Sequence, residues 1–340
     1  MSTNRSFWQD KVGIPGTIRN DPIPTTVADH QLLIKVQAWA LNPADHIVQD
    51  ISLPFMKYPI ILGEDVAGTV ELVGSTASSK FKVGDRVLGY AQGTAPPKPE
   101  QGGFQDYVVL NQTMVCKIPD SMSFVEASVF PLCISTAAHG LFSKDYLGLP
   151  FPEVHPISTG KSILIWGGSS GVGSNAIQLA KAAGFEVLAT CSARNFDTVK
   201  SLGAHKVFDY NSATAIDDIV SELDKGECAG IFQAAGNVTG ACQVSHRSKQ
   251  KLFVASAVFV PPGVAPEGVE AKFLAGGADS YKETSPATFG GFLPEALAKE
   301  IYKIAPAPEV LPTRGVEGIQ EGLNLLKKGL SAKKIVVQAK

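Results

Sequence analysis

Residues 163–184 constrain the fold more than any other stretch: Ile-Leu-Ile-Trp-Gly-Gly-Ser-Ser-Gly-Val-Gly-Ser-Asn-Ala-Ile-Gln-Leu-Ala-Lys-Ala-Ala-Gly. Ile163 to Trp166 is the short apolar run a buried parallel strand requires. A glycine-rich turn follows, then a helix with apolar residues at Val172, Ala176, Leu179, Ala180 and Ala183. Gly184 stands where a left-handed C-terminal cap belongs. Strand, glycine turn and helix is an arrangement that holds a nucleotide pyrophosphate. Glycine lets backbone approach phosphate, and the helix N-terminus presents unpaired N–H groups and a positive dipole end. The expected cradle is Gly168, Ser169, Ser170, Gly171, Val172 and Gly173.

The next segment indicates which nucleotide. A second strand, Phe185 to Thr190, ends in Cys191-Ser192-Ala193-Arg194. That tip lies about 20 residues past the glycines, where the group reading the adenosine ribose belongs. A carboxylate there would bind the 2′-hydroxyl of NAD and repel a 2′-phosphate. Here the tip is neutral and then basic. Ser192 can hydrogen-bond a phosphate, and Arg194 can form a charge-assisted fork worth about 1.5–3 kcal/mol. The expected cofactor is therefore NADPH, although Arg194 as a solvated side chain or a partner of Asp197 is the alternative. Tyr210, ending a third strand, is expected to flank the adenosine ribose or phosphate.

A chain of 340 residues is too long for one small core and predicts two domains. Residues 1–126 are punctuated by glycine and proline and read as an irregular β domain. Residues 127–265 alternate strand and helix, as in a doubly wound parallel sheet: strands at 206–210, 229–235 and 252–260, helices at 195–202 and 215–223. The tail, 266–340, is expected to fold back on the first domain, with helices near 294–304 and 316–328 and a last strand at 334–338. A formal net charge of −2 without lysine clusters implies no nucleic-acid partner. No run approaches ~20 uninterrupted apolar residues, so no membrane helix is expected. The first ten residues lack a secretory apolar core, and five scattered cysteines form no CxxC pair, as expected of reduced thiols in a cytoplasmic protein.

This order, with these motifs, resembles the medium-chain dehydrogenase/reductase superfamily. Leu41-Asn42-Pro43-Ala44-Asp45 looks like its Asn-Pro-x-Asp segment, and Ile61-Leu62-Gly63-Glu64-Asp65-Val66-Ala67-Gly68 like its Gly-His-Glu strand entry. Val83 to Val87 and Gly102 to Tyr107 are further family blocks. Pro131 to Ala138, the proline-rich insert at 148–156 and Ala189 to Asp197 make the chain most similar to the zinc-free quinone-oxidoreductase-like branch, in particular to fungal trans-acting enoyl reductases. The resemblance implies an α/β fold: a GroES-like irregular β-barrel catalytic domain (1–126 and 266–340) and a Rossmann doubly wound parallel-sheet cofactor domain (127–265). It also implies that Ala235, Gly236, Ala257, Val258 and Phe259 pass the nicotinamide half. Many relatives dimerise through a strand just beyond; Pro261-Pro262-Gly263 interrupts it here, so a monomer is expected over a homodimer.

Zinc alcohol dehydrogenases of the superfamily use a Cys, a His and a Cys. By motif position these fall on Asn42, Glu64 and Cys133, so no metal is expected. A Tyr-x-x-x-Lys base is also missing, because none of the seven tyrosines has a lysine four residues on. Hydride delivery to an already activated acceptor remains. An enoyl thioester or enone, possibly polyketide-derived and carrier-bound, is expected; a quinone or enal acceptor and a non-catalytic NADPH-binding partner protein are the alternatives. Such chemistry needs orientation, hydrogen bonds to a developing enolate oxygen and exclusion of water. Thr136, Asn42 and Tyr58 are the candidates: Thr136 beside the nicotinamide or oxygen, Asn42 donating to a substrate carbonyl, Tyr58 as proton donor; the alternatives are a helix cap or back-bonded hydroxyl for Thr136, fixing the Asn-Pro turn for Asn42 and simple packing for Tyr58. Several fungal enoyl reductases carry Trp-Lys just after Asn-Pro-x-Asp; this chain has His46-Ile47, which leaves the proton donor unassigned.

Overall fold

A computed structural model describes residues 3–53, 56–94, 96–275 and 278–340. The chain divides into two compact units, residues 1–132, 277–282 and 297–340 forming the first and residues 133–276 and 283–296 the second. The change of unit after 132 falls a few residues beyond the expected 126. The return is interrupted, because 283–296 belongs to the second unit.

The first unit opens with β1 (Asn4–Gln9), β2 (Thr17–Asp21) and the long β3 (Gln31–Ala40). Helix α1 (Pro43–Asp50) follows, then β4 (Ile60–Ile61), β5 (Asp65–Val73), β6 (Arg86–Tyr90), β7 (Tyr107–Asn111), β8 (Val115–Lys117) and α2 (Phe124–Ser128). Strand β3 is central because nearly all of its side chains find apolar cover: Leu32, Ile34, Ala38 and Trp39 are fully buried. The Trp39 indole N–H donates to the Gly103 carbonyl at 2.9 Å, so burying that ring leaves no polar atom unpaired. Gly68 on β5 allows the strands to meet, since a Cβ there would lie 2.1 Å from the Lys35 carbonyl oxygen.

Helix α3 (Pro131–Phe142) leads into the second unit. The stretch Phe124–Phe142 has the length and hydropathy of a membrane span, but 72% of it is buried inside the protein itself. The second unit then runs β9 (Ser162–Trp166), α4 (Gly171–Ala182), β10 (Glu186–Cys191), α5 (Phe196–Ser201), β11 (Lys206–Asp209), α6 (Ala215–Leu223), β12 (Cys228–Gln233), α7 (Thr239–Arg247), β13 (Val254–Ser256) and β14 (Ala271–Phe273). These strands form a six-stranded sheet in the order β11-β10-β9-β12-β13-β14, every pair parallel. This is the doubly wound parallel sheet, with Ile163, Leu164 and Ile165 fully buried on its central strand. Gly184 closes α4 at φ +86, as its sequence position predicts. The expected strand at 252–260 is only three residues long. Ser256 ends it by turning its Oγ onto the Val258 carbonyl at 2.6 Å, which leaves Ala257, Val258 and Phe259 beyond the ladder.

Short helices α8 (Ser285–Ala287) and α9 (Leu293–Ala298) precede β15 (Ala307–Val310), α10 (Gly318–Leu326) and β16 (Lys333–Gln338). Strand β16 pairs antiparallel with β3, completing a sheet ordered β15-β16-β3-β5-β6-β8 with β7 also on β3. The return to the first unit therefore inserts a C-terminal strand beside its central one, and Lys334 travels with it.

Candidate active site

In the Rossmann-type unit the glycine turn is built almost wholly from backbone. The Gly167 N–H donates to Thr190 Oγ1 at 3.0 Å and the Gly168 N–H to the Thr190 carbonyl at 2.7 Å, tying the turn to the end of β10. Ser170 caps α4: its Oγ accepts from the Gly173 N–H at 3.0 Å and donates to the Gly167 carbonyl at 2.8 Å. A Cβ at Gly173 would lie 2.1 Å from that carbonyl oxygen, so the close approach of helix to turn requires glycine. No acidic side chain stands in the first turn of α4, which leaves its positive end suited to an anion.

The other predicted cofactor residues gather at the same carboxyl edge. Ser192 Oγ and Tyr210 Oη lie 3.0 Å apart, joining the ends of β10 and β11. Arg194 is exposed and, among the described residues, forms no ion pair, so it is not held by Asp197. Asn195 Nδ2 donates to Ser169 Oγ at 3.3 Å, linking the glycine turn to the segment that carries Arg194. After β12, Gln233 Nε2 donates to the Ala235 carbonyl at 2.7 Å, and Gly236 adopts φ +83. This turn abuts Gly167, whose Cβ would lie 3.0 Å from the Ala235 nitrogen. Phe259 is set apart: it is 63% exposed and stacks edge-on with Phe273 at 6.0 Å.

The β-rich unit holds a different kind of site, a buried cluster of charged side chains. Lys334 Nζ lies 2.7 Å from Asp65 Oδ2, with both side chains shielded from solvent. Asn42 Nδ2 donates to the same Asp65 oxygen at 2.9 Å, and Lys334 also donates to Asn42 Oδ1. The other Asp65 oxygen accepts from the Leu132 N–H at 2.5 Å. Asp45, in the first turn of α1, accepts from the Asn42 N–H at 2.6 Å. Glu64 Oε1 accepts from the Tyr90 hydroxyl at 3.3 Å, while Glu64 Oε2 is closed off from solvent with no hydrogen-bond partner. The Tyr90 ring meets Tyr281 edge-on at 5.6 Å.

Three carboxyl groups thus share one ammonium. Asp65 takes the ion pair, and the others move toward their neutral forms. Burial, opposed by the Asn42 N–H and assisted by the charge of Asp65, pushes Asp45 up to about 7. Burial, with Asp45 and Asp65 adding repulsion, holds the Glu64 carboxyl well above the usual carboxylate range. The Tyr90 phenol is pushed up by burial and then by Glu64.

Of the predicted catalytic residues, Asn42 joins this cluster, but both ends of its amide are engaged by Asp65 and Lys334. Its role there is to position charge, in place of the expected donation to a substrate. The Tyr58 hydroxyl donates to the Val48 carbonyl at 3.2 Å, so its proton is directed into α1. Thr136 is half-buried on α3, within the second unit. The sequence reasoning placed Asp45, Glu64 and Asp65 in family motifs without naming them as site residues, and it missed Tyr90 and Lys334. One signal was available: Glu64-Asp65 interrupts an otherwise apolar run from Ile60 to Ala67.

The position that matches the family's first zinc ligand carries Asn42 in place of a thiolate. Asn42 offers only an amide already bonded to an ammonium, and that ammonium would repel a divalent cation. Among the described residues no group of three or more His, Cys, Asp or Glu is placed to hold a metal.

Comparison with known proteins agrees with this architecture. Residues 28–120 match the alcohol dehydrogenase GroES-like domain, and residues 171–247 match the zinc-binding dehydrogenase family. The dehydrogenase azaJ of Aspergillus niger is 43% identical over 331 residues, covering 94% of each chain. The trans-enoyl reductase himH of Aspergillus japonicus is 38% identical over 339 residues, covering 98% of this chain and 97% of its own. An alcohol dehydrogenase superfamily protein from Novosphingobium aromaticivorans shares the fold with a TM-score of 0.79 at 24% identity, covering 99% of this chain and 100% of that one. The chain belongs to the medium-chain dehydrogenase/reductase superfamily. It is an oxidoreductase of that family, whose members bind a nicotinamide cofactor.

Proposed function

We propose that this protein is a zinc-independent reductase that uses NADPH to reduce a carbon–carbon double bond conjugated to a carbonyl or thioester. The observation that carries the reading is the pairing of an anion-ready glycine turn in one unit with a buried acid cluster, in place of a metal, in the other. Arg194, exposed beyond Ser192 and Tyr210 and without an ion pair among the described residues, supports a 2′-phosphate over a 2′-hydroxyl. Likeness to a named trans-enoyl reductase across nearly the whole chain supports the reaction class. When bound, the reduced nicotinamide supplies hydride to the β-carbon. The protein's task is to hold and orient the acceptor, stabilise the enolate and return a proton at the α-carbon. The acceptor is a small molecule or an acyl group on a carrier.

The test is NADPH oxidation by the purified protein with an α,β-unsaturated thioester, an enone, an enal and a quinone side by side, NADH serving as control. Turnover of the thioester or enone is the expected result. Turnover of the quinone alone assigns the protein to quinone reduction, and tight NADPH binding without turnover of any acceptor contradicts the reading.

A further inference from the structure

We propose that Gln233, which lies beneath the cofactor crevice and not in it, is the positioning residue for the nicotinamide half of the dinucleotide. The inference rests on the NADPH reading above and names what shapes that half of the site. All of the residues concerned belong to the second unit. The strand order β11-β10-β9-β12-β13-β14 reverses direction between β9 and β12. A doubly wound sheet takes its ligand at that switch point, outside the carboxyl ends of the strands. Ser192, Arg194 and Tyr210 stand just beyond β10 and β11, on one side of the glycine turn. With the adenosine half held there, the other half of a dinucleotide extends over the ends of β12 and β13.

Gln233 ends β12 in register with Trp166 on β9 and Ser256 on β13, and it is fully buried. Its Nε2 donates to the Ala235 carbonyl at 2.7 Å and to the Gly236 carbonyl at 3.3 Å. Its Oε1 is closed off from solvent with no hydrogen-bond partner. A buried amide oxygen left unpaired costs the fold something that an apolar side chain of similar length avoids. The return for that cost is the pair of bonds to the turn. The flipped amide cannot make them, because it sets an oxygen against two carbonyl oxygens.

These bonds decide which way the turn faces. A planar trans peptide places its N–H opposite its C=O. Drawing the Ala235 and Gly236 carbonyls inward therefore turns the Gly236 and Asn237 N–H groups outward. Both residues are exposed, and neither N–H has an acceptor among the described residues. Gly236 reaches this shape at φ +83, which glycine adopts readily. Ser256 acts alike on the next strand, its Oγ donating to the Val258 carbonyl at 2.6 Å and accepting the Val258 N–H at 3.2 Å. The Ala257 N–H donates to the Gln233 carbonyl and the Ala234 N–H to the Trp166 carbonyl, each at 2.8 Å, tying the three strand ends into one ledge. The outward N–H pair suits an oxygen of the nicotinamide half, a ribose hydroxyl or the carboxamide carbonyl. Gln233 holds that pair in place without touching the ligand.

The experiment is titration calorimetry of the full chain with NADPH and with adenosine 2′,5′-bisphosphate, which carries the adenosine half and its 2′-phosphate but no nicotinamide. Gln233→Met should bind the bisphosphate as wild type does and NADPH about 10-fold more weakly, the worth of roughly one neutral hydrogen bond. Gln233→Glu sets a carboxylate against the two carbonyls, and only its protonated form can donate to one of them. Its NADPH affinity relative to wild type should therefore recover as pH falls from about 8 to about 5, with the bisphosphate unaffected. A side chain that merely supports the core moves both ligands together or neither. Gln233→Met binding both ligands as wild type does, or losing both equally, overturns the proposal. Should Gln233→Met fail to fold, Gln233→Glu decides: recovery of NADPH alone as pH falls supports the positioning role, and a ratio to wild type independent of pH overturns it. A wild type that binds neither ligand overturns the NADPH reading and the proposal with it.

Discussion

The two units solve the problem of handling charge in opposite ways. The glycine turn between β9 and α4 offers only backbone groups, a helix end and neutral side chains. The cluster around Asp65 gathers three carboxyl groups, two of them buried, and one buried ammonium, brought together from β3–α1, β5, β6 and the distant β16. The first device is contiguous in sequence and sterically demanding. The second is dispersed and electrostatically demanding. One added methyl group is therefore enough to distort the first, whereas the second is disturbed by a change of charge.

Removing the ammonium should have the largest effect on stability. Lys334→Met leaves Asp65 buried without its cation and should destabilise the fold by about 3–5 kcal/mol, read as a shift in denaturant midpoint. Adding Asp65→Asn to the same chain should recover much of that loss, since removing both charges of a buried pair is far milder than removing one. A double variant no better than Lys334→Met would show that the pair acts through packing. In the other unit, Gly173→Ala should cost about 3 kcal/mol by overpacking alone, with cofactor binding lost in parallel. An unaffected cofactor affinity would break the assignment of the turn.

Arg194→Glu should follow, weakening NADPH by about 10- to 100-fold while changing NADH little, from the loss of a charge-assisted pair and the repulsion of the 2′-phosphate. Equal losses for both cofactors, measured by titration calorimetry, would remove the 2′-phosphate assignment. The smallest effect is a pH dependence. Asp45 ionises near 3.8 when unfolded and at about 7 when folded, so between those values the folded chain holds more protons and stability falls as pH rises. Asp45→Asn removes that slope and should be more stable than wild type by about 1–3 kcal/mol near pH 8, with the advantage gone below about pH 4. Parallel stability–pH curves for the two proteins would contradict the buried, neutral form of Asp45.

The same contrast explains what could be read in advance. The glycine turn, its capping Gly184 and the tip at Ser192 and Arg194 lie within one βαβ unit, where spacing and backbone sterics act locally. The meeting of Ser192 with Tyr210 could be anticipated because both end neighbouring parallel strands. The acid cluster showed in the sequence only as Glu64-Asp65 interrupting an apolar run. Asn42 and Lys334 are 292 positions apart and meet only because β16 pairs with β3. Helix α1 was missed because its eight residues carry an Asn-Pro turn signal and almost no apolar face, whereas tertiary contacts hold it. The strand expected at 252–260 is cut to three residues by the Ser256 hydroxyl, a local side-chain bond that apolar periodicity cannot anticipate. Tyr58, a candidate proton donor whose alternative was packing, is matched to a nearby carbonyl.

The central claim, that hydride and proton reach the two carbons of an activated double bond from different sources, is tested most directly by isotope placement. An enoyl thioester is reduced once with NADPH deuterated at the transferring position in water, and once with ordinary NADPH in D₂O, and the products are read by NMR. The account predicts deuterium at the β-carbon in the first case and at the α-carbon in the second. Deuterium from the cofactor at the carbonyl carbon, or at neither carbon, would contradict it.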